Sequence, residues 1–363
     1  MSRLIRAVID AGALRHNVEV IRARAPGARV MAVVKANAYG HGLVQTALAL
    51  PEADAFAVAR LEEGVRLRER GVQAPIVLLE GVFSPEQLRE ARAHRLELVV
   101  HDALQVELLA AAGEAHREPL WIKIDTGMNR LGFRPEAFRA AYERLRALQP
   151  ASSEIRLMTH LAAADDPVGH MTGEQLERFA AATRGIPGER SIANSAGIFG
   201  AVAVGGQWVR PGLALYGASP LPERTAAELG LRPVMRLETS VIAVRQVPRG
   251  ETVGYGATWR AERDTRVAIV AAGYGDGLPR SLPSGTPVCV AGRRAPLVGR
   301  VSMDMIAVDV STLESVRVGT PVMLWGEGLP VEEVAGWAGT IPYELLCSVS
   351  ERVPLEIAGS AAA

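Results

Sequence analysis

Lysine is nearly missing from this 363-residue chain: of its 40 basic residues only Lys35 and Lys123 are lysine, and the rest are arginine. Arginine serves wherever a fixed positive charge is enough, but it cannot shed a proton to become a nucleophile or a base. Both lysines close apolar runs, Val30-Met31-Ala32-Val33-Val34 before Lys35 and Leu120-Trp121-Ile122 before Lys123, so they read as positions that need a deprotonable amine. Cysteine is as scarce. Cys289 and Cys347 are too few for a disulfide framework and suit a reducing cytosol. Net charge is also missing, with 40 basic and 40 acidic residues. No field is available to attract nucleic acid or an anionic membrane, and neither partner is expected. No uncharged apolar run approaches the length of a membrane span. The first residues reach Asp10 too early for a signal peptide, which points to the cytoplasm. The seven histidines show neither HExxH nor paired ligand spacing, and no metal site is expected.

What is present divides into two textures. Up to about residue 225, short apolar runs alternate with longer amphipathic stretches rich in Ala, Arg and Glu. The runs are 30–34, 55–59, 76–79, 96–100, 120–124, 155–159, 191–193 and 213–216. Helical patterns lie between them at 60–70, 85–94, 102–112, 135–148 and 172–183. Eight strands alternating with helices is the count of a (β/α)8 TIM-type barrel, and no GxGxxG follows the first run to favour an open doubly wound sheet. The segment from Pro220 to Pro233 reads as a linker. Beyond it, Val-rich runs broken by Gly and Pro, at 239–247, 266–271, 287–290, 305–310 and 321–324, predict an all-β unit with one short helix at 332–337. The expected division is 1–230 for the barrel and 231–363 for the β-domain, with the first few residues pairing into the latter.

In such a barrel Lys35 would stand at the C-terminal end of the first strand, where barrel active sites form. An amine there sheds water, which favours its neutral form and suits Schiff-base chemistry with an aldehyde cofactor, above all pyridoxal phosphate. Arg130, in Asp125-Thr126-Gly127-Met128-Asn129-Arg130-Leu131-Gly132, would reach the same mouth, and a guanidinium grips a carboxylate in bidentate fashion. The small polar turn Asn194-Ser195-Ala196-Gly197 and the turn Arg210-Pro211-Gly212-Leu213 suit phosphate, which barrels bind in late loops through N–H groups and hydroxyls.

The run Ala32-Val33-Val34-Lys35-Ala36-Asn37-Ala38-Tyr39-Gly40-His41-Gly42 resembles the pyridoxal-phosphate attachment motif of the bacterial alanine racemases, the fold-type III barrel family. Further motifs follow in the family's order along nearly the whole chain. The resemblance implies an isomerase interconverting L- and D-alanine by a two-base route. It assigns Lys35 as cofactor anchor and one base, and Tyr255, within Val253-Gly254-Tyr255-Gly256-Ala257, as the other. It places Ser195, the Gly212 and Leu213 backbone, Tyr39 and Tyr343 on the phosphate, Arg210 against the pyridine nitrogen and His160 in the cofactor's surroundings. Some family members carry histidine where this chain has Ser191, which leaves the role of that position open.

Arg130 and the Met303 backbone are assigned to the substrate carboxylate, and Tyr274 to the entrance. The resemblance gives Lys123 a CO2-derived carbamate that orients Arg130; the alternative is a buried ion pair with Asp125 or with a glutamate. A phenol acts as a base only with cationic or hydrogen-bonding neighbours, for which Arg130 and His160 are the candidates. The implied assembly is a head-to-tail homodimer with shared active sites, acting on a small amino acid and supplying D-alanine to peptidoglycan. The rival readings are a serine or broad-specificity racemase, a related barrel decarboxylase, and a non-catalytic pyridoxal-phosphate carrier.

Overall fold

The computed structural model describes residues 4–113, 116–150, 153–200 and 205–359. A first strand, β1 (Arg6–Asp10), precedes the barrel. The Asp10 carboxylate then accepts the Ala13 N–H at 2.9 Å, capping the helix Ala11–Arg24 and satisfying one of its free N-terminal donors. Eight parallel strands follow: β2 (Arg29–Val33), β3 (Ala55–Val58), β4 (Ile76–Leu78), β5 (Glu97–Val100), β6 (Leu120–Lys123), β7 (Ile155–Met158), β8 (Arg190–Asn194) and β9 (Trp208–Arg210). They close edge to edge, β9 pairing with β2. β3 to β7 are buried along their whole length, as expected of parallel strands covered by helices. Ser84 and Asp102 cap the helices Pro85–Ala93 and Ala103–Ala111, and Pro135 opens Pro135–Leu148, where its missing N–H costs nothing.

The eighth barrel strand departs from the sequence expectation. It is β9, Trp208–Arg210, whereas Leu213–Tyr216 forms a 3-10 turn. Pro211 offers no N–H for a ladder, Gly212 turns the chain at φ −116°, ψ −90°, and Gly217 stops the turn in the left-handed region. The run is apolar because its residues are buried beneath the mouth, and not because they are extended.

The strand starts hold a charged plug at the far end of the barrel. Arg156 is buried, pairs with Glu97 at 3.2 Å and Glu154 at 2.6 Å, and lies over the rings of Trp121 and Trp208 at 5.2 and 5.3 Å. Buried charge is tolerated here because it is paired and stacked.

The C-terminal part contains β10 (Met235–Val247), β11 (Thr252–Val253), β12 (Trp259–Arg260), β13 (Thr265–Val270), β14 (Pro287–Val290), β15 (Arg293–Val298), β16 (Ile306–Asp309), β17 (Pro321–Trp325) and β18 (Leu355–Ala358). The long β10 pairs antiparallel with both β17 and β13, and in the order β10-β13-β16-β15-β14-β17 six strands return on themselves. β1 pairs antiparallel with β10 and parallel with β18, so the chain's first strand lies in the last sheet. Two helices occur here where the sequence suggested one, Val331–Ala338 and Pro342–Ser348. The second packs onto the barrel mouth: a β-carbon at Gly40 would lie 2.1 Å from the Leu346 carbonyl oxygen.

Candidate active site

The C-terminal strand ends gather most of the residues singled out in the sequence. Lys35 follows β2, Lys123 ends β6, His160 follows β7, Ser195 follows β8, and Arg210 ends β9. Tyr343 reaches the same place from the helix Pro342–Ser348, its ring 5.8 Å from that of Tyr39.

Arg210 organises the centre. Buried in the mouth, it donates to Ser191 Oγ at 2.5 Å, to the Thr159 carbonyl at 2.5 Å and to the Ile192 carbonyl at 3.2 Å. A fourth contact runs to His160 Nδ1 at 3.3 Å. Ser191 therefore accepts from Arg210 while its own hydroxyl donates a hydrogen bond to the Trp208 carbonyl at 3.2 Å. With both terminal nitrogens bonded to fixed acceptors, the guanidinium is held in place.

Lys123 is 8% exposed. Burial first, and then the Arg210, Arg130 and Lys35 cations, push its amine down from 10.5 to about 8. Among the described residues its side chain meets no carboxylate within ion-pair distance. The Asp125 carboxylate is spent elsewhere, accepting the Gly127 and Asn129 N–H groups at 3.0 Å each and facing Arg134 at 3.7 Å. The alternative, a Lys123 ion pair with Asp125 or a glutamate, is not formed among the described residues. The side chains of Lys35 and Arg130 likewise make no hydrogen bond or ion pair among the described residues. Four cations therefore converge on the mouth with no carboxylate assigned to them, an arrangement suited to anionic ligands.

The late loops add neutral donors. Ser195 Oγ accepts the Gly212 N–H at 2.9 Å and the Ala214 N–H at 3.3 Å, which leaves its own hydroxyl proton to be given outward. The Leu213 N–H has no acceptor among the described residues. The Tyr39 hydroxyl lies over Gly212, where a β-carbon would be 2.5 Å away. Burial, with Tyr343 and Cys347 adding to it, raises the Tyr39 hydroxyl above its ordinary range and keeps it a donor.

Tyr216 and Glu63 belong to this site and were not singled out in the sequence. Tyr216 stacks on Tyr39 at 4.8 Å and donates to the Val33 carbonyl at 2.9 Å, anchoring the end of β2. The apolar run it sits in hid it. Glu63 bonds the backbone beside Lys35, and nothing local in the sequence marks that contact.

Tyr255, Tyr274 and Met303 make no hydrogen bond or ring contact with the mouth residues among the described residues; all three are exposed, Tyr255 by 67%. The Tyr274 and Gly275 N–H groups bond the Ser302 and Met303 carbonyls at 3.0 and 2.9 Å. Gly256 in the Tyr255 turn has φ 73°, a left-handed value that favours glycine, and a β-carbon there would lie 3.0 Å from the Arg300 guanidinium. Arg300 is thus the cation packed against the Tyr255 turn within this chain.

Comparison with known proteins covers both parts of the chain. The family described as alanine racemase, N-terminal domain, matches residues 9–220, and alanine racemase, C-terminal domain, matches 234–357. The chain is 52% identical over 352 residues to the alanine racemase of Nitrosococcus oceani, covering 96% of this chain and 98% of that one. It is 49% identical over 350 residues to the biosynthetic alanine racemase of Escherichia coli K12, with the same shares covered. The crystal structure of the biosynthetic alanine racemase from Pseudomonas aeruginosa superposes with a TM-score of 0.94 at 48% identity, over 98% of this chain and 100% of that one.

Proposed function

The chain belongs to the alanine racemase family, and from that premise we infer that it is an isomerase interconverting L- and D-alanine with pyridoxal phosphate at the barrel mouth. The observation that carries this reading is the convergence of Lys35, Lys123, Arg130 and Arg210 without carboxylate partners, beside an unclaimed Leu213 N–H and a glycine that yields its space to the Tyr39 hydroxyl. This donor set fits a phosphate and a carboxylate arriving together. Ser195, Gly212, Leu213, Tyr39 and Tyr343 would hold the phosphate, Arg210 the ring nitrogen and Lys35 the aldehyde. His160 would line the ring. When bound, pyridoxal phosphate supplies a conjugated ring that delocalises the electron pair left at the substrate's Cα.

The chain's own groups do the rest. Lys35 Nζ takes or returns a proton on one face of Cα, and Tyr255 Oη serves the other, as inversion requires. Arg130 and the Met303 backbone orient the substrate carboxylate. Arg210, a fixed cation, would disfavour a proton on the ring nitrogen and so weaken the ring as an electron sink, which would disfavour side reactions. Lys123, as a carbamate, would turn from a fourth cation into an anion that steers Arg130.

Because Tyr255 is exposed and bonds none of the mouth residues within the described chain, a head-to-tail homodimer would complete each site, with Tyr274 at its entrance. The cysteines are free and no described helix is long and apolar enough to cross a membrane, which accords with a cytoplasmic enzyme supplying D-alanine to peptidoglycan. The match over 234–357 disfavours a carrier without catalysis.

Turnover measured across a panel of amino acids tests the reading. Alanine should be fastest, with rates dropping sharply for side chains larger than methyl. Comparable rates on lysine or arginine would overturn it.

A further inference from the structure

Four consecutive non-glycine residues after Lys35 are left-handed: Ala36, Asn37, Ala38 and Tyr39 have φ of 54°, 54°, 55° and 51°. Each costs ~1–2 kcal/mol against the right-handed form, so such a turn lasts only where its surroundings hold it. Its far end is held by His41, which is wholly buried and directs Nδ1 at the Tyr39 and Ala38 carbonyls, 2.8 and 3.0 Å away. Its near end is held from another βα unit. Glu63 Oε1 accepts the Ala36 N–H at 2.7 Å, at the peptide directly after Lys35. The other oxygen accepts the Ala59 and Arg60 N–H groups at 2.9 and 3.1 Å, as half of a capping box for the helix Leu61–Glu69. Capping explains the Arg60 bond, and the Ala59 bond lies beside it on the same oxygen. Capping does not explain the Ala36 bond.

We propose that Glu63 is a positioning residue for Lys35, tying the strained turn to the second βα helix and so fixing how the amine is presented. This rests on the reading of Lys35 as the cofactor-bearing base. Acceptor count separates the two roles of Glu63. A carboxylate offers two acceptor oxygens and no donor, whereas a glutamine offers one oxygen and an NH2. Glu63→Gln can keep the helix cap, since glutamine also serves in a capping box, but its NH2 then faces the Ala36 N–H. The substitution leaves the helix and releases the turn. Ala36 is exposed, so Ala36→Gly loses little packing and lets that residue take a positive φ without steric cost.

The test uses the full-length chain with pyridoxal phosphate, trapping the cofactor with borohydride on the peptide containing Lys35 and following the label over time by mass spectrometry. Glu63→Gln should slow labelling about tenfold with a thermal midpoint within about 4 °C of the parent. Adding Ala36→Gly should recover about fivefold. Labelling at the parent rate in Glu63→Gln would overturn the proposal. A loss that follows the melting temperature and is not recovered by Ala36→Gly would overturn it too, leaving Glu63 as a helix cap. If the parent itself takes no label on Lys35, the cofactor reading fails, and this inference with it.

Discussion

Arg210 Nη2 lies 3.3 Å from His160 Nδ1. A guanidinium has only donors, so Nδ1 must be the bare nitrogen and the proton of the neutral ring sits on Nε2. Burial first, and then Arg210, Lys123, Arg130 and Lys35, push His160 from 6.5 down to about 2. The mouth thus holds its positive charge on amines and guanidinia alone, and keeps its imidazole uncharged.

The pH dependence of folding follows. Burial lowers His41 and His116 from 6.5 to about 4 each, in the same direction as His160. The unfolded chain takes up these protons near pH 6.5 and the folded chain does not, so stability falls as pH drops from about 6.5 toward 4. Each of the two buried rings contributes ~1.4 kcal/mol per pH unit within that window. Denaturant unfolding at pH 7, 6 and 5 should show the decline, and nitrogen NMR should show all three rings neutral at pH 5. Titration of any of them between pH 8 and 5 would refute the assignment.

Lys123 should combine with CO2. Only the neutral amine reacts, and a value of about 8 makes that form abundant in mildly alkaline buffer. With labelled bicarbonate at pH 8.5, carbon NMR should show one carbamate resonance that Lys123→Met removes. If the two spectra match, Lys123 remains a cation and Arg130 is oriented by something else.

Gly212→Ala should disturb the phosphate cradle. The new methyl would stand 2.5 Å from the Tyr39 hydroxyl, and Tyr39 is buried and stacked on Tyr216, with little room to yield. Losing one good phosphate contact should raise the pyridoxal phosphate Kd about tenfold by fluorescence titration. An unchanged Kd would remove Tyr39 from the cradle.

Tyr255→Phe should keep the bound cofactor's colour and lose racemisation by about 100-fold or more, the range of one lost acid–base group. Exchange of the α-proton with deuterated solvent should then persist from one enantiomer of alanine only. Equal exchange from both would end the two-base assignment.

Much of the barrel was legible because its signals are local. Runs such as Leu120-Trp121-Ile122 alternate with capped helices whose Asp102 and Ser84 announce their starts, and these depend on a few neighbouring residues. Two misreadings have one cause. Leu213–Tyr216 is apolar through burial, and Trp208–Arg210 is a short strand containing an arginine that only its ladder partners explain. The pairing of the first residues with the β-domain was expected, but their partners lie more than 220 residues away, so only the tertiary structure shows which strands they meet.

By itself, the sequence determined that the chain needs an amine at Lys35 and at Lys123, and that both stand at barrel strand ends, because residue chemistry and strand periodicity are properties of short segments. Tertiary structure decided what each amine meets. Lys123 is buried among cations while Asp125, two residues away, folds its own loop. Lys35 leads into a strained turn held by a carboxylate from the next βα unit. Tyr255 is left exposed. Which charges face one another depends on how eight strands close and how a distant helix returns to the mouth, and those contacts are long-range in the chain.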